Sequence, residues 1–302
     1  MKKIISMILA VLILTALLCA CSTDTGDGFD YKSGYEKLSQ TLIEQEYVIE
    51  ELKNSSANRF PEGTVCVCFG DSVLGKPKDP ADYASVIAEK TGLETVNAGI
   101  GGASIAQNPN QAYDAFSLYR LVDAIVSQDW TLQDQNIASI EFASAATRYE
   151  ALKAVDWSKV SIVTIGMGLN DIQNGYAIDN AENARDTATV KGALRYSIEK
   201  LVKAYPNLEI MVLTPTYRYM INADKGCNEL TYNGNTYTQY IDAVISVAKE
   251  YNLPYVDLYR NMGVSSINYK CFYLEGEGTH FNNKGNEKIG KMVANQLLLY
   301  FK

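Results

Sequence analysis

The pattern of hydrophobic positions predicts strands and helices in alternation from residue 65 onward. Five apolar runs are typical of strands: residues 65–69, 94–97, 160–167, 209–214 and 255–258. Four of them end at or next to Gly, Asn or Pro, as strands often do. Apolar residues at helical spacing predict helices between and after them: residues 83–91, 113–127, 139–155, 193–205, 240–251 and 286–300. Mostly continuous apolar strands separated by helices are typical of a parallel sheet covered on both faces. We therefore predict an α/β fold, a three-layer α/β/α sandwich with a five-stranded parallel sheet.

The first twenty residues have the pattern of an export signal. Two lysines precede an apolar run, residues 4–18, that is too short and wrongly flanked for a transmembrane helix. The run ends in the motif LCAC, residues 18–21, which resembles the cleavage site of bacterial lipoproteins. The resemblance implies that Cys21 becomes the first residue of the mature chain and carries a lipid such as palmitate. We expect a lipid anchor on the extracytoplasmic side of a bacterial membrane; a plain secretory signal is the alternative.

The segment between this signal and the first strand contains a tether and one helix. Residues 22–30 are small and polar, which is typical of a flexible linker. Residues 35–52 carry a heptad-like apolar stripe under three heptads long, so a stalk or oligomerisation helix is one interpretation. A helix that is solvated or packed on the domain is the simpler one, which we favour. We predict a signal over residues 1–20, a tether and amphipathic helix over 21–58, and one globular domain over 59–302.

Composition narrows the classes of partner. The chain has 302 residues, of which 47% are hydrophobic and 21% charged, as in globular proteins. Its net charge of −8 and the absence of a basic stripe argue against nucleic acid as a partner. Oligomeric state is left open.

The cysteines predict no metal site. Cys66 and Cys68 alternate on the first predicted strand, so both are expected to be buried on one face, and this spacing alone is poor support for zinc. Cys227 and Cys271 lie in loop-like segments of a chain that we expect to be exported, so a disulfide between them stays open. We predict no metal and no cofactor.

Candidate chemistry follows three of the predicted strands. Ser72 comes after the first strand, a glycine-rich loop over 98–102 after the second, and Asn170 after the third. Parallel strands bring these loops to one edge of the sheet, where α/β proteins bind ligands. Ser72 and Asn170 also suit helix caps, so each is ambiguous alone. A serine nucleophile needs a base with a pKa near neutrality, and His280 is the single histidine of the chain.

Four motifs in order resemble the SGNH family of GDSL-type esterases and lipases. They are GDS at 70–72, NAGIGG at 97–102, GLND at 168–171 and EGTH at 277–280. The resemblance covers roughly residues 64–298 and implies a flavodoxin-like strand order. It also implies that Ser72 is the nucleophile and His280 the base. The implied oxyanion hole consists of the backbone N–H groups of Ser72 and Gly102 and the side-chain amide of Asn170.

The chain departs from the family pattern at the third catalytic residue. Glu277 stands where the family has an aspartate three residues before the histidine, and a glutamate can hold the imidazole if its extra methylene fits. We predict Glu277 in this role, with Glu275 or a backbone carbonyl as alternatives. We expect Asp71 and Asp171 to order their turns rather than to transfer protons.

The functional prediction is a serine esterase that hydrolyses carboxylic esters, including acetyl or short acyl esters on glycans. We expect a small-molecule or glycan ester as substrate and the membrane as a partner through the anchor. Tyr217, Arg218 and Tyr219 follow the fourth predicted strand and are candidates for substrate contact. Two alternatives are an acyltransferase that uses the same acyl-enzyme and a non-catalytic glycan-binding lipoprotein.

Overall fold

The computed structural model describes residues 59–75 and 82–302. The predictions for residues 1–58, which include the signal segment, Cys21, the tether and the amphipathic helix, lie outside the described residues.

Five parallel strands form the central sheet. They are β1 (Val65–Gly70), β2 (Glu94–Gly99), β3 (Val160–Gly166), β4 (Glu209–Leu213) and β5 (Tyr255–Val256). Their order across the sheet is β2-β1-β3-β4-β5, and every neighbouring pair is parallel. The predicted fold class and the implied flavodoxin-like order are confirmed.

Helices cover the sheet between the strands. In chain order they are α1 (Ser72–Gly75), α2 (Tyr83–Thr91), α3 (Gln111–Asp114), α4 (Leu118–Ser127), α5 (Thr131–Asn136), α6 (Ala145–Lys153), α7 (Leu169–Gln173), α8 (Val190–Ala204), α9 (Tyr237–Glu250), α10 (Leu258–Asn261) and α11 (Asn283–Tyr300). Helix α2 packs against α11, while α8 packs against α4 and α9. The strand order reverses at β1, so right-handed crossovers place α2 on one face of the sheet and α8 and α9 on the other.

Local sequence explains the bounds of α2, which match the prediction. The Asp82 side chain accepts a hydrogen bond from the Ser85 N–H at 2.8 Å and caps the first turn. Gly92 ends the helix with a φ of 77°, a left-handed conformation that glycine adopts without steric cost.

The stretch between β2 and β3 differs from the prediction. Two long helices were expected over 113–127 and 139–155, whereas the structure has α3, α4, α5 and α6. The Leu118 N–H donates to the Ser104 carbonyl at 2.9 Å instead of to a carbonyl one turn earlier. A tertiary hydrogen bond therefore separates α3 from α4. A second interruption, over 137–144, contains a 3₁₀ turn (Ile137–Ser139) and an irregular segment that brings Phe142 to the cavity described below.

Two short hairpins between β4 and α9 have no counterpart in the prediction. The first pairs Tyr219–Met220 with Lys225–Gly226, and the second pairs Thr231–Tyr232 with Asn235–Thr236. Each strand has only two residues, which is too short for a period-2 pattern to stand out.

The four described cysteines are free thiols. Cys66 and Cys68 are fully buried on one face of β1, as predicted, with their sulfur atoms 3.9 Å apart. The disulfide left open between Cys227 and Cys271 is not formed: Cys227 is buried, whereas Cys271 is exposed. The Cys227 sulfur is turned inward, where it accepts a hydrogen bond from the Arg218 backbone N–H at 3.4 Å.

No helix within residues 59–75 and 82–302 combines the length and the apolar character that crossing a bilayer requires.

Candidate active site

Three glycines lie side by side where the central strands end. Gly70 of β1 is in register with Gly99 of β2 and with Gly166 of β3. A Cβ on Gly70 or Gly166 would lie 2.9 or 2.3 Å from the Leu74 side chain, so glycine lets α1 pack closely over the strand ends. Ser72 is the first residue of α1 and therefore stands between the ends of β1 and β3. This is the point where the strand order reverses, the usual ligand site of an open α/β sheet.

Ser72, His280 and Glu277 meet at this point. The His280 Nε2 atom lies 3.2 Å from the Ser72 Oγ atom, within hydrogen-bonding distance. The Nδ1 atom of the same imidazole contacts a carboxylate oxygen of Glu277. Glu277, rather than Glu275, is thus the carboxylate on the second ring nitrogen. The extra methylene of glutamate is accommodated in the loop.

Asp71 joins two of the loops that form the site. One of its carboxylate oxygens accepts a hydrogen bond from the Val73 N–H at 2.9 Å, and the other accepts from the Leu169 N–H at 3.3 Å. Burial raises the pKa of Asp71 to about 7, while the two backbone donors act in the opposite direction. Asp71 connects the turn of Ser72 with the loop of Asn170.

The predicted oxyanion donors Gly102 and Asn170 line the same cavity as Ser72. Gly102 has a φ of 80°, and a Cβ there would lie 2.3 Å from the Tyr113 ring, so both backbone and space require glycine. The Asn170 Nδ2 atom donates to the Ala103 carbonyl at 2.7 Å. This bond orients the amide and leaves it a second N–H.

Asp171 fixes the loop beside Asn170. Its two carboxylate oxygens accept hydrogen bonds from the backbone N–H groups of Ile105 and Ala106, each at 2.8 Å. The side chain is fully buried, and burial raises the pKa of Asp171 to about 6. The residue thereby ties α7 to the segment that follows the glycine-rich loop, which is the ordering role expected of it.

The histidine loop is held by the segment that follows β4. The Tyr219 N–H donates to the Gly278 carbonyl at 2.8 Å, and the Arg218 Nε donates to the Thr279 Oγ1 at 2.8 Å. Within the loop, the Leu274 N–H donates to the His280 carbonyl at 2.9 Å. The position of His280 therefore depends on contacts between segments about 60 residues apart.

These residues surround a cavity of about 480 Å³. Its lining brings together Ser72, Gly102, Phe142, Leu169, Asn170, Gln173, Arg218, Tyr219, Met220, Ile221, Asn222, Gly276, Glu277, Gly278, Thr279 and His280. The predicted catalytic and oxyanion-hole residues of the described chain are all in this set: Ser72, Gly102, Asn170, Glu277 and His280. Of the three candidates for substrate contact, Arg218 and Tyr219 line the cavity, whereas Tyr217 is buried beside it.

Sequence reasoning missed one supporting network and six lining residues: Phe142, Gln173, Met220, Ile221, Asn222 and Gly276. Phe142 was expected inside a helix. Gln173 lies three residues after Asn170 on α7, and this spacing is the signal that could have placed it on the same face. In the network, the Asp82 carboxylate accepts hydrogen bonds from Asn97 at 2.8 Å and from Arg148 at 3.0 Å.

Among the described residues, no group of three or more His, Cys, Asp and Glu side chains is arranged to hold a metal ion.

An open parallel sheet with a serine, a histidine and a carboxylate in contact at its switch point is an arrangement typical of the α/β serine-hydrolase class. Comparison with known families refines this class. The sequence profile of the family described as GDSL-like Lipase/Acylhydrolase matches residues 66–293. The chain belongs to this family.

Solved structures share the fold at low sequence identity. A protein from Lactobacillus plantarum is 18% identical with a TM-score of 0.57, over 80% of this chain and 100% of its own. A possible lipase from Chitinophaga pinensis is 17% identical with a TM-score of 0.51, over 77% of this chain and 97% of its own. A further crystal structure aligns with a TM-score of 0.60 and 20% identity, over 82% of this chain and 99% of its own. A search of curated protein sequences found no match.

Proposed function

We propose that the protein is a serine esterase that hydrolyses carboxylic esters through an acyl-enzyme on Ser72. The observation that carries this proposal is the 3.2 Å contact between Ser72 Oγ and His280 Nε2, with Glu277 on the other ring nitrogen. Two candidate oxyanion donors, Gly102 and Asn170, line the same cavity. A non-catalytic binding protein would have no need for this combination.

In the acylation step, Ser72 Oγ attacks the ester carbonyl carbon while His280 Nε2 takes the hydroxyl proton. The tetrahedral intermediate then collapses, the bond to the leaving alcohol breaks, and His280 returns the proton to that alcohol. In deacylation, water attacks the acyl carbon, its proton passes to His280, and Ser72 regains a proton as the acid leaves. Glu277 holds the imidazole and stabilises its protonated form.

The negative charge that develops on the carbonyl oxygen needs donors that are already in place. We assign this role to the backbone N–H groups of Ser72 and Gly102 and to the second N–H of the Asn170 amide. Asp71 and Asp171 fix the loops that carry these groups, so no large rearrangement is needed as charge develops.

The test is hydrolysis of 4-nitrophenyl acetate and butyrate by the full chain in detergent. Ser72→Ala and His280→Asn are each expected to lower kcat by about 10⁴-fold or more. Ser158→Ala, at an exposed serine before the first residue of β3 and thus at the opposite end of that strand from the site, is the matched control and should keep wild-type turnover. Undiminished turnover in either site variant would overturn the mechanism.

A fluorophosphonate probe tests the nucleophile independently of turnover. Ser72 Oγ should displace fluoride and form a covalent phosphonate ester, which peptide mass spectrometry would locate at residue 72. Labelling of Ser72→Ala to the wild-type extent would assign the nucleophile elsewhere. Product analysis with and without a sugar acceptor then separates hydrolysis from acyl transfer.

We propose that the acyl groups are short, as in acetylated glycans. The Tyr113 ring packs on Gly102, and a Cβ on Gly101 would lie 2.1 Å from the Phe142 ring, so two aromatic rings restrict the space along the glycine-rich loop. In a series of 4-nitrophenyl esters, kcat/KM should fall beyond the four-carbon acyl group, and Phe142→Ala should relax this limit. A kcat/KM that rises toward twelve carbons would contradict the proposal.

The proposed location is the extracytoplasmic face of a bacterial membrane, with a lipid on Cys21. The support is the LCAC motif after the apolar run over residues 4–18. Cys21→Ser should release the protein from the membrane fraction, while Cys19→Ser, two residues earlier in the same motif, should leave it bound. Continued retention of Cys21→Ser would rule out this attachment site.

A further inference from the structure

Arg218 presents a positive charge to the same cavity as Ser72 and His280. It is half-buried and lies five residues after β4, on the segment that supports the histidine loop. Among the described residues that line the cavity, the only other ionisable side chains of Asp, Glu, His, Lys or Arg are those of Glu277 and His280, which contact each other. Arg218 takes no part in that contact, although its charge also acts on the buried carboxylate of Asp71, whose pKa it lowers against the larger effect of burial.

The hydrogen bonds of Arg218 go to neutral oxygens. Its Nε donates to Thr279 Oγ1 at 2.8 Å and its Nη1 donates to Gln173 Oε1 at 2.7 Å. Within residues 59–75 and 82–302, no carboxylate lies within ion-pairing distance of its guanidinium, although the protein is acidic overall. Two of the five N–H donors are used, which leaves the rest of the Nη1 and Nη2 edge for a ligand.

The guanidinium is held in a fixed position. Gln173 and Thr279 fix its head, and the Arg218 backbone N–H donates to the Cys227 sulfur at 3.4 Å. The Cys227 N–H in turn donates to the Arg218 carbonyl at 2.9 Å. A held guanidinium loses little side-chain entropy when it binds an anion, and its planar edge matches the two oxygens of a carboxylate.

We propose that Arg218 is a specificity residue that binds an anionic group, best matched by a carboxylate, on the ester substrate. The inference deepens the proposed esterase function and rests on it. It adds that the preferred esters are negatively charged near the reacting carbonyl, either on the acyl part or on the alcohol part. Such a charge would replace the carboxylate partner that Arg218 lacks within the described chain.

Two pairs of esters test the proposal on the full chain. Mono-4-nitrophenyl succinate against 4-nitrophenyl pentanoate places the charge on the acyl side, and 4-acetoxybenzoate against its methyl ester places it on the alcohol side. The wild-type protein should prefer the charged member of one pair. Arg218→Gln should lower kcat/KM for that ester by about 10- to 100-fold more than for the neutral member, and the difference should appear mainly in KM. Because the substitution also removes the hydrogen bond to Thr279, both members should share any loss of kcat that comes from the histidine loop. Arg218→Lys should keep an intermediate preference.

A purely structural role predicts a different result. If Arg218 only positions Thr279 and the histidine loop, Arg218→Gln lowers kcat equally for charged and neutral esters, and this outcome would overturn the proposal. Equal treatment of charged and neutral esters by the wild type would also overturn it. Lys159→Gln removes one exposed positive charge elsewhere and is the matched control, with an unchanged preference.

A binding measurement separates this inference from the esterase proposal. On Ser72→Ala, which has no nucleophile, titration with 4-hydroxybenzoate and with succinate should show saturable binding that the corresponding neutral amides lack. Introducing Arg218→Gln into that protein should weaken binding by at least tenfold. Equal binding of acid and amide contradicts the inference even if Ser72 proves to be the nucleophile. If Ser72→Ala retains turnover but binds the acids and not the amides, the role of Arg218 is supported and the mechanism through Ser72 is wrong.

Discussion

The candidate active site has two halves that are built in different ways. The nucleophile half comprises residues 70–75, 99–106 and 166–173, which follow directly after β1, β2 and β3. The histidine half comprises residues 214–236 and 262–282, which belong to the long connections after β4 and β5. The first half brings Ser72, Gly102 and Asn170 to the cavity, and the second brings Arg218 and His280.

The nucleophile half is anchored by buried carboxylates. Asp71 and Asp171 are 2% and 0% exposed, and each accepts two backbone hydrogen bonds from loops at the sheet edge. The histidine half is held by contacts between half-buried loops, such as Tyr219 to Gly278 and Arg218 to Thr279. The fold itself therefore positions the candidate oxyanion donors. The base and the candidate specificity residue depend instead on long-range loop packing.

The largest expected effect within this comparison is at the carboxylate of the histidine half. Glu277→Gln should lower kcat by about 10⁴-fold, because an amide cannot stabilise the protonated imidazole and favours the wrong tautomer. Steady-state hydrolysis of 4-nitrophenyl butyrate measures this. The control is Glu275→Gln, an exposed carboxylate two residues earlier, which should have wild-type activity. A reversed result would transfer the role to Glu275.

Loss of one donor from the nucleophile half should have a smaller effect. Asn170→Ala is expected to lower kcat by about 10²- to 10³-fold with little change in KM, because the amide N–H acts on charge that develops in the transition state. Asn295→Ala, at an exposed position on α11, should change neither constant. A rise in KM at constant kcat would show instead that Asn170 binds the ground state.

The buried carboxylates of the nucleophile half predict a pH dependence of stability. The folded-state pKa of Asp71 is raised to about 7, so between about pH 4 and 7 the folded state binds a proton that the unfolded chain does not. This contribution to stability is fully present below about pH 4, falls as the pH rises across this window, and is lost once the pH has passed about 7. Its slope approaches about 1.4 kcal/mol per pH unit within that window.

Urea denaturation at pH 5, 6, 7 and 8 measures this contribution. From pH 8 to 5, the free energy of unfolding of the wild type should rise relative to that of Asp71→Asn. The control compares the wild type with Asp156→Asn, a substitution at an exposed carboxylate. The free energy of unfolding of the wild type should not rise relative to that of Asp156→Asn from pH 8 to 5, because hydrogen bonds from Ser158 lower the pKa of Asp156. Parallel curves for the wild type and Asp71→Asn would show that Asp71 stays ionised in the fold.

The smallest effect is on thiol reactivity, which compares the stability of the histidine half with that of β1, the strand that leads into the nucleophile half. In native buffer, Cys271 should react with a thiol reagent within seconds because it is exposed. Cys227 should react far more slowly, since burial raises its pKa to about 12. Because Cys227 belongs to the histidine half, it should become reactive at lower urea concentration than Cys66 and Cys68 of β1. Simultaneous exposure of all three buried thiols would indicate that both halves open only with the whole domain.

Prediction from sequence succeeded where structure is local. The β-branched run before Gly70 and the capped helix over 83–91 follow from burial and from turn chemistry, and both leave local signals in the chain. The order of the strands came from the family resemblance. The loops after β1, β2 and β3 were placed together because parallel strands end at one edge of a sheet. Ser72, Gly102 and Asn170 are found at this edge.

The same reasoning failed where distant segments decide the conformation. The helix expected over 139–155 starts only at Ala145, and Phe142 instead lines the cavity. The disulfide that loop positions left open is absent because Cys227 points into the core under Arg218. No periodic pattern marks either outcome.

The sequence by itself determined the α/β class and, through family resemblance, the order of the strands. It also singled out Ser72 and His280 as partners, because this serine follows the first strand and the chain has one histidine. Only the tertiary structure decided that Glu277 rather than Glu275 faces the imidazole and that Arg218 projects into the cavity without a carboxylate partner among the described residues. The physical reason is that the two kinds of feature depend on different parts of the chain. Strands and helices reflect the burial of neighbouring residues, whereas a side chain on a long loop takes its direction from residues such as Thr279 that lie far away in the chain.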